Sequence, residues 1–306
     1  MTMSGPKSAL TRRALVALLP ALGVAGPPPA RAQTGPPKPK PPFGRDPGGV
    51  AVALIGAGVD YRRPEIAARI ARDGEGELIA WDVIDDDARP LEAAPTPVRR
   101  VPPFAGTAMA ELFLSHAGNA RLIPVRVPDG NPMAIGGALA FASQTPARIA
   151  VILTGSTTDL QDRSWMLFAD VAQRSRHLLL IAPAGHSGAN ADLNPKAPAN
   201  LALGNLLVVT AADAAGALHR GMTWGASNVD VAVTVTREQL PAAATYDSAA
   251  ALENAAAVTL AAYAVRIAAT DPGLDGAGLK ARLLALAMPF PASTEKRTRA
   301  GWIAAK

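Results

Sequence analysis

The chain has 306 residues, of which 49% are hydrophobic and 4% aromatic, enough apolar material for a large core and too much for a disordered chain. It has no cysteine, which excludes a disulfide framework and any thiolate metal site. The formal charge of +5 sits mostly in the first 32 residues, where Lys7, Arg12, Arg13 and Arg31 stand without an acid; the remainder has 26 basic against 25 acidic residues and carries no electrostatic footprint for nucleic acid.

The N-terminus has the order of an export signal. Lys7, Arg12 and Arg13 precede an apolar stretch of 13 residues, Ala14 to Gly26, shorter than the roughly 20 that a membrane span requires. Ala30-Arg31-Ala32 then supplies a small-x-small cleavage site before Gln33. Residues 1–32 are therefore expected to direct export, to the periplasm or outside, and to be removed. Thr11-Arg12-Arg13-Ala14-Leu15-Val16 resembles the twin-arginine motif, and the general secretion route stays open beside it. Residues 33–48 read as a linker, because Pro36, Pro37, Pro39, Pro41, Pro42 and Pro47 favour extended polyproline conformation over helix.

Residues 49–306 read as one domain. Short apolar runs predict buried parallel strands at Val50–Ile55, Leu122–Val127, Ile149–Leu153, Leu178–Ile181, Leu206–Thr210 and Val229–Val235. Helical spacing falls between them, at Pro64–Arg72, Thr107–Ser115, Ala134–Ser143 and Asp159–Ser175, the last with Asp159 as N-cap. Two further helices follow, Ser248–Ala269 and Gly278–Met288. This alternation predicts an α/β fold, a three-layer α/β/α sandwich around a doubly wound, mainly parallel sheet. Ligands of such sheets bind outside the carboxyl ends of the strands.

Four segments, in order, carry a resemblance. They are Val52-Ala53-Leu54-Ile55-Gly56-Ala57-Gly58-Val59-Asp60, Ala105-Gly106-Thr107-Ala108-Met109-Ala110, Ala184-Gly185-His186-Ser187-Gly188 and Ser248-Ala249-Ala250-Ala251. They resemble the catalytic segments of the subtilisin-like serine proteases. There the first reads apolar-apolar-Asp-x-Gly-Val-Asp, the second His-Gly-Thr-x-x-Ala, the third Ala-Gly-Asn-Ser-Gly and the fourth Gly-Thr-Ser-x-Ala. Between and after them, Trp81–Asp87, Ala120–Val127, Ile149–Ser156 and Thr223–Val231 are similar to further segments of that family.

Aligned this way, Gly56 stands at the catalytic Asp position, Ala105 at the His position and His186 at the position of the oxyanion-binding Asn, while Ser248 keeps the nucleophile position. A serine hydroxyl needs a base to take its proton, and the aspartate holds that base in the correct tautomer. Neither Gly56 nor Ala105 can do this. The ordinary mechanism is expected to be lost: in subtilisin, a member of that family and not this chain, removing the histidine alone costs about 10⁶ in kcat. His186 can in principle act as oxyanion donor or as base. Asp247 and Ser248 also read as an N-cap and first residue of an alanine-rich helix. Tyr246 and Asp247 replace the Gly-Thr before the family's serine, which crowds the turn.

The resemblance places the substrate-binding strand and its turn at Leu153, Thr154, Gly155 and Ser156, where a partner peptide or protein segment is expected to add as a strand. No cofactor is implied; Asp85-Asp86-Asp87 offers hard oxygen ligands of the kind calcium takes, or a plain solvated acidic loop. The expected function is that of an exported pseudoprotease with a peptide-binding role. An active serine hydrolase using Ser248 with a non-standard base is the rival reading.

Overall fold

The computed structural model describes residues 38–92, 105–154, 163–199, 201–240, 248–291 and 297–304, with the side chain of Ser248 outside that description. The expected export signal, the Asp159 cap, Gly155, Ser156, Tyr246 and Asp247 lie outside the described residues. In chain order the elements are β1 (Val50–Gly56), α1 (Pro64–Ala67), β2 (Trp81–Asp82), α2 (Ala105–His116), β3 (Ala120–Arg126), α3 (Pro132–Ser143), β4 (Ala147–Ile152), α4 (Trp165–Arg174), β5 (Leu179–Pro183), β6 (Leu206–Ala212), β7 (Val231–Thr234), a 3₁₀ turn (Arg237–Gln239), α5 (Ser248–Thr270), α6 (Gly276–Leu284) and β8 (Trp302–Ile303).

The strands form one eight-stranded sheet in the order β2-β3-β1-β4-β5-β6-β7-β8, parallel throughout. Helices cover both faces, which is why the strands are apolar runs rather than alternating ones. Val52 and Leu54 of β1 face a core shared with α2, α5 and α6. Ala51, Ala53 and Ile55 face the opposite core, filled from α3 and α4 by Ile135, Leu139 and Phe168. Each of the larger side chains contributes about 1.5–3 kcal/mol by leaving water. Alanine does a different job in α5: Ala255, Ala256, Ala261 and Ala264 are fully buried and let a 23-residue helix lie close against the sheet.

The predicted strands and helices are present, with instructive differences at their ends. The helix expected over Pro64–Arg72 stops at Ala67. Beyond it the Arg69 guanidinium donates to the carbonyls of Ala117 (2.8 Å) and Ala120 (2.9 Å), and Ala71 N–H bonds Leu122 O, so this stretch joins the outer edge of β3 instead of winding on. The last helix ends at Leu284 rather than Met288, because Met288 pairs with Trp302. Two-residue strands such as β2 and β8 are too short to leave a periodic signal.

Residues 38–48 are the described part of the segment expected to be a linker. They have no helix or strand, as their prolines dictate, yet they are tied down along their length. Lys38 Nζ lies 2.5 Å from Asp82 Oδ2, 2.8 Å from Asp85 Oδ2 and 3.3 Å from Asp87 Oδ1. Tyr61 donates its hydroxyl to Pro39 O (2.8 Å) and Arg72 donates to Pro42 O (2.9 Å). Asp46 accepts from the Arg72 N–H (2.8 Å) and pairs with Arg121. Burial works to raise the Asp46 carboxyl, but these hydrogen bonds outweigh it and hold it below its ordinary range.

Candidate functional site

The order of the strands fixes where a site can form. The chain goes from β1 out to β2 at the sheet edge, returns to β3 beside β1, then crosses to place β4 on the other side of β1. The connections leaving β1 and β4 therefore diverge, which makes their carboxyl ends the position where sheets of this kind place ligands. Gly56 ends β1, and Leu153 and Thr154 follow β4.

Gly56 and Leu153 close against each other at this point. A Cβ on Gly56 would stand 3.2 Å from the Leu153 Cβ. Leu153 is held in place by its own N–H, which donates to Ile55 O at 2.7 Å. Thr154 is buried, and its hydroxyl accepts from Gly130 N–H (2.8 Å) and donates to Asp129 Oδ1 (3.0 Å). Its side chain thus ties down the loop after β3 and is not displayed to a ligand.

The stretch Ile149–Gly155, expected to offer backbone groups to a peptide, is an interior strand as far as Ile152. Val52–Ile55 pair with it on one side, and Ile149–Val151 pair with β5 on the other. Of the expected binding stretch, Leu153 and Thr154 follow the strand, and Gly155 and Ser156 lie outside the described residues.

Ala105 opens α2, and two backbone donors of its first turn are engaged by Glu92. Gly106 N–H donates to Glu92 Oε1 (2.9 Å), Thr107 N–H to Glu92 Oε2 (2.9 Å), and the Thr107 hydroxyl to Glu92 Oε2 (2.6 Å). The same hydroxyl accepts from Asp60 N–H (2.8 Å), joining the helix to the turn after β1. Gly106 permits this approach, since a Cβ there would lie 2.1 Å from Gly58 O. Glu92 satisfies donors that a helix start leaves open, with its charge at the favourable end of the helix dipole. Burial raises its carboxyl above its ordinary value against the pull of these bonds. Arg63 pairs with Glu111 on the next turns of α2, and Arg62 with Asp60 at 2.7 Å. The described side chains at the β1–α2 corner thus supply helix capping and ion pairing, and the positions of Gly56 and Ala105 supply no acid or base.

His186 is in a different situation. It lies in the turn after β5, shaped by Gly185 at φ +105°, and the Thr223 N–H donates to Gly185 O at 3.0 Å. Its Nδ1 is 2.9 Å from Glu253 Oε1. The Glu253 side chain is 5% exposed and comes from the second turn of α5, while the His186 ring is 40% exposed. A carboxylate only accepts, so Nδ1 carries a ring proton in this contact. Ser248 is the first residue of that same helix. Sequence reasoning singles out His186 and Ser248, but not Glu253 or Glu92. Glu253 leaves one signal, an isolated acid in the apolar run Ala249 to Ala264. Glu92 leaves none.

Two other histidines meet backbone carbonyls: His116 Nδ1 lies 3.0 Å from Leu112 O within α2, and His219 Nε2 lies 2.6 Å from Val235 O. Asp85 and Asp87, offered by the sequence as oxygen ligands, meet the Lys38 ammonium. Among the described residues no three His, Asp or Glu side chains are grouped to hold a metal ion.

No protein-family model matches the chain, and no curated protein matches it. Solved structures do. A cold-adapted subtilisin-like serine proteinase superposes with a TM-score of 0.65 at 19% identity, over 87% of this chain and 91% of its own. A lanthipeptide protease gives 0.62 at 19% identity over 84% and 86%. The subtilase cytotoxin SubAB assembly contains a chain that gives 0.63 at 19% identity over 84% and 88%. At these identities the likeness establishes the fold, which is that of the subtilisin-like serine proteases.

Proposed function

We propose that this subtilisin-fold chain is an exported pseudoprotease that binds an extended peptide or protein segment at the carboxyl edge of β1 and β4. The observation that carries the reading is the closure of Gly56 onto Leu153. The position that would hold the aspartate of a subtilisin triad has no side chain, and a neighbour packs against the place where one would begin. The histidine position is likewise an alanine, at a helix start where Glu92 engages two backbone donors. The position itself follows from the strand order. Peptide addition beyond Ile152 would use backbone pairing for affinity and nearby side chains for selectivity.

The N-terminal pattern supports export, and among the described residues no helix is long and apolar enough to cross a membrane. Intact-mass analysis of protein from the native host is expected to begin at Gln33. The binding reading is tested by periplasmic capture with wild type and a Gly155→Val variant, alongside their melting curves. Weaker capture by an equally stable variant supports the groove; identical capture removes it. Hydrolysis of casein or a peptide library that vanishes in Ser248→Ala would overturn the pseudoprotease reading in favour of the active hydrolase.

A further inference from the structure

Three stretches of the chain meet at a cavity of about 340 Å³ on the β2 side of the sheet. Lys40 and Pro41 line it from the N-terminal segment, Glu77 and Leu78 from the stretch ahead of β2, and Asp87, Ala88 and Arg89 from the stretch after it. The turn that starts at Asp73 closes with the Asp73 N–H on Glu77 O (3.0 Å) and puts Leu78, 8% exposed, in an antiparallel bridge with Arg72. Asp86, at φ +53°, reverses the chain after β2, so that Asp87 O accepts from the Asp82 N–H at 2.7 Å. The third wall is held from both ends: Tyr61 donates to Pro39 O and Arg72 to Pro42 O, one on each side of Lys40 and Pro41.

The charges around this cavity are unevenly matched. Asp87 Oδ1 already accepts from the Arg89 N–H (2.8 Å) and lies 3.3 Å from Lys38 Nζ. Arg89 gives one of its guanidinium N–H groups to Lys38 O at 3.3 Å. Lys40 and Glu77 are exposed, and neither side chain has an ion-pair or hydrogen-bond partner among the described residues. Pro41, Leu78 and Ala88 supply the apolar part of the lining. Two cations, one carboxylate and an apolar wall are the complement of a zwitterion with a hydrocarbon side chain. We propose that the cavity binds a free α-amino acid with an apolar side chain, its carboxylate between Lys40 and Arg89, its ammonium on Glu77 and its side chain against Pro41 and Leu78. A fatty acid would bring its anion beside Glu77 with no ammonium to match it, and a simple amine would meet two like charges. The volume stands at the small end of the roughly 300–1,000 Å³ of ligand sites, which suits a ligand of this size. The site is apart from the β1–β4 corner and does not depend on the binding reading there. Because one wall belongs to residues 38–48, the ligand joins that segment to the body of the domain. It binds the docked form alone and so stabilises docking by mass action.

The test uses the purified protein and L-leucine at millimolar concentration, with titration calorimetry for affinity and amide exchange for residues 38–48. Leucine is expected to bind saturably and to slow exchange across that segment. N-acetylleucine lacks the ammonium and leucinamide the carboxylate, and each should bind about tenfold more weakly, the loss of one charge-assisted contact. Lys40→Gln should cost leucine about as much. Glu77→Gln should weaken leucine while leaving N-acetylleucine unchanged. Both substituted side chains are exposed, so both variants should melt with wild type. Absence of saturable binding to wild type overturns the proposal, as does undiminished affinity in Lys40→Gln or equal affinity for leucine and N-acetylleucine. Binding that leaves exchange of residues 38–48 unchanged puts the ligand elsewhere and overturns it too.

Discussion

The Cβ of Leu153 lies 3.2 Å from the place where a Cβ on Gly56 would stand. Glycine is thus part of the packing of the β1–β4 corner. Restoring an aspartate means forcing Leu153 aside against the Leu153 N–H to Ile55 O bond that fixes its backbone.

Gly56→Asp is therefore expected to destabilise the fold by about 1–3 kcal/mol through overpacking, and Gly56→Asp with Ala105→His to remain without peptidase activity. Leu153→Gly, which removes the contacted Cβ, should offset part of that cost when combined with Gly56→Asp, though it is destabilising alone. Urea unfolding of the two single variants and the double variant gives the coupling directly. Simple additivity would show that the two positions do not compete for space.

Glu92 holds the start of α2 through two backbone N–H groups and one hydroxyl. Glu92→Ala leaves those donors buried without their acceptor and should cost roughly 2–4 kcal/mol. Thr107→Val removes one of the three bonds, and the link to Asp60, for about 1–2 kcal/mol. The melting temperatures of the two variants should fall in that order.

The docking of residues 38–48 makes a prediction about pH. Hydrogen bonding to Lys38 lowers the Asp85 carboxyl, and Asp46 is lowered as well, from an ordinary value of 3.8. Their contribution is complete above about pH 4 and is lost as the pH falls through the depressed values. Burial pulls the Lys38 ammonium down, but Asp82 and Asp85 outweigh it and raise it above 10.5; its contribution is complete below that and fades as the pH rises through the raised value. Amide exchange of residues 38–48 should therefore be slow relative to the unprotected chain between these limits and lose protection outside them. Lys38→Met should lower stability by about 1–3 kcal/mol at pH 7. The cost is less than that of orphaning a buried charge, because Arg126 still meets the fully buried Asp82 at 2.8 Å. Unchanged exchange in Lys38→Met would show that the lysine does not hold the segment.

Much of the fold was legible because β1, β3, β4, β5 and β6 are dominated by short apolar runs, the signature of strands covered on both faces. The readings of Gly56, Ala105 and His186 rest on motifs whose flanking residues are kept, and that of Ser248 on the alanines after it, because Tyr246 and Asp247 replace the pair before it. Partnerships made by one long-range contact were not legible. Nothing in the spacing joins Glu92 to Gly106 or Lys38 to Asp82, and a proline-rich stretch reads as a linker whether or not its carbonyls find donors. The end of α1 is hidden for the same reason: helical spacing continues to Arg72, but the Arg69 guanidinium is claimed by carbonyls some fifty positions away.

The far edge of the sheet has a consequence for how the chain is made. Asp230, buried just before β7, accepts from the Val208 N–H (2.9 Å), Lys280 (3.0 Å) and Arg299 (3.0 Å), and β7 pairs with β8. On a ribosome, β6 and β7 emerge long before residues 280 and 299 that neutralise this carboxylate. Until then the edge stays open and its acid must stay hydrated, so the sheet cannot close during synthesis of its first three quarters. Completion waits for residues 299–303, and a chain stalled or truncated ahead of them would expose β7 as an unpaired strand, a species for chaperones and proteases to remove.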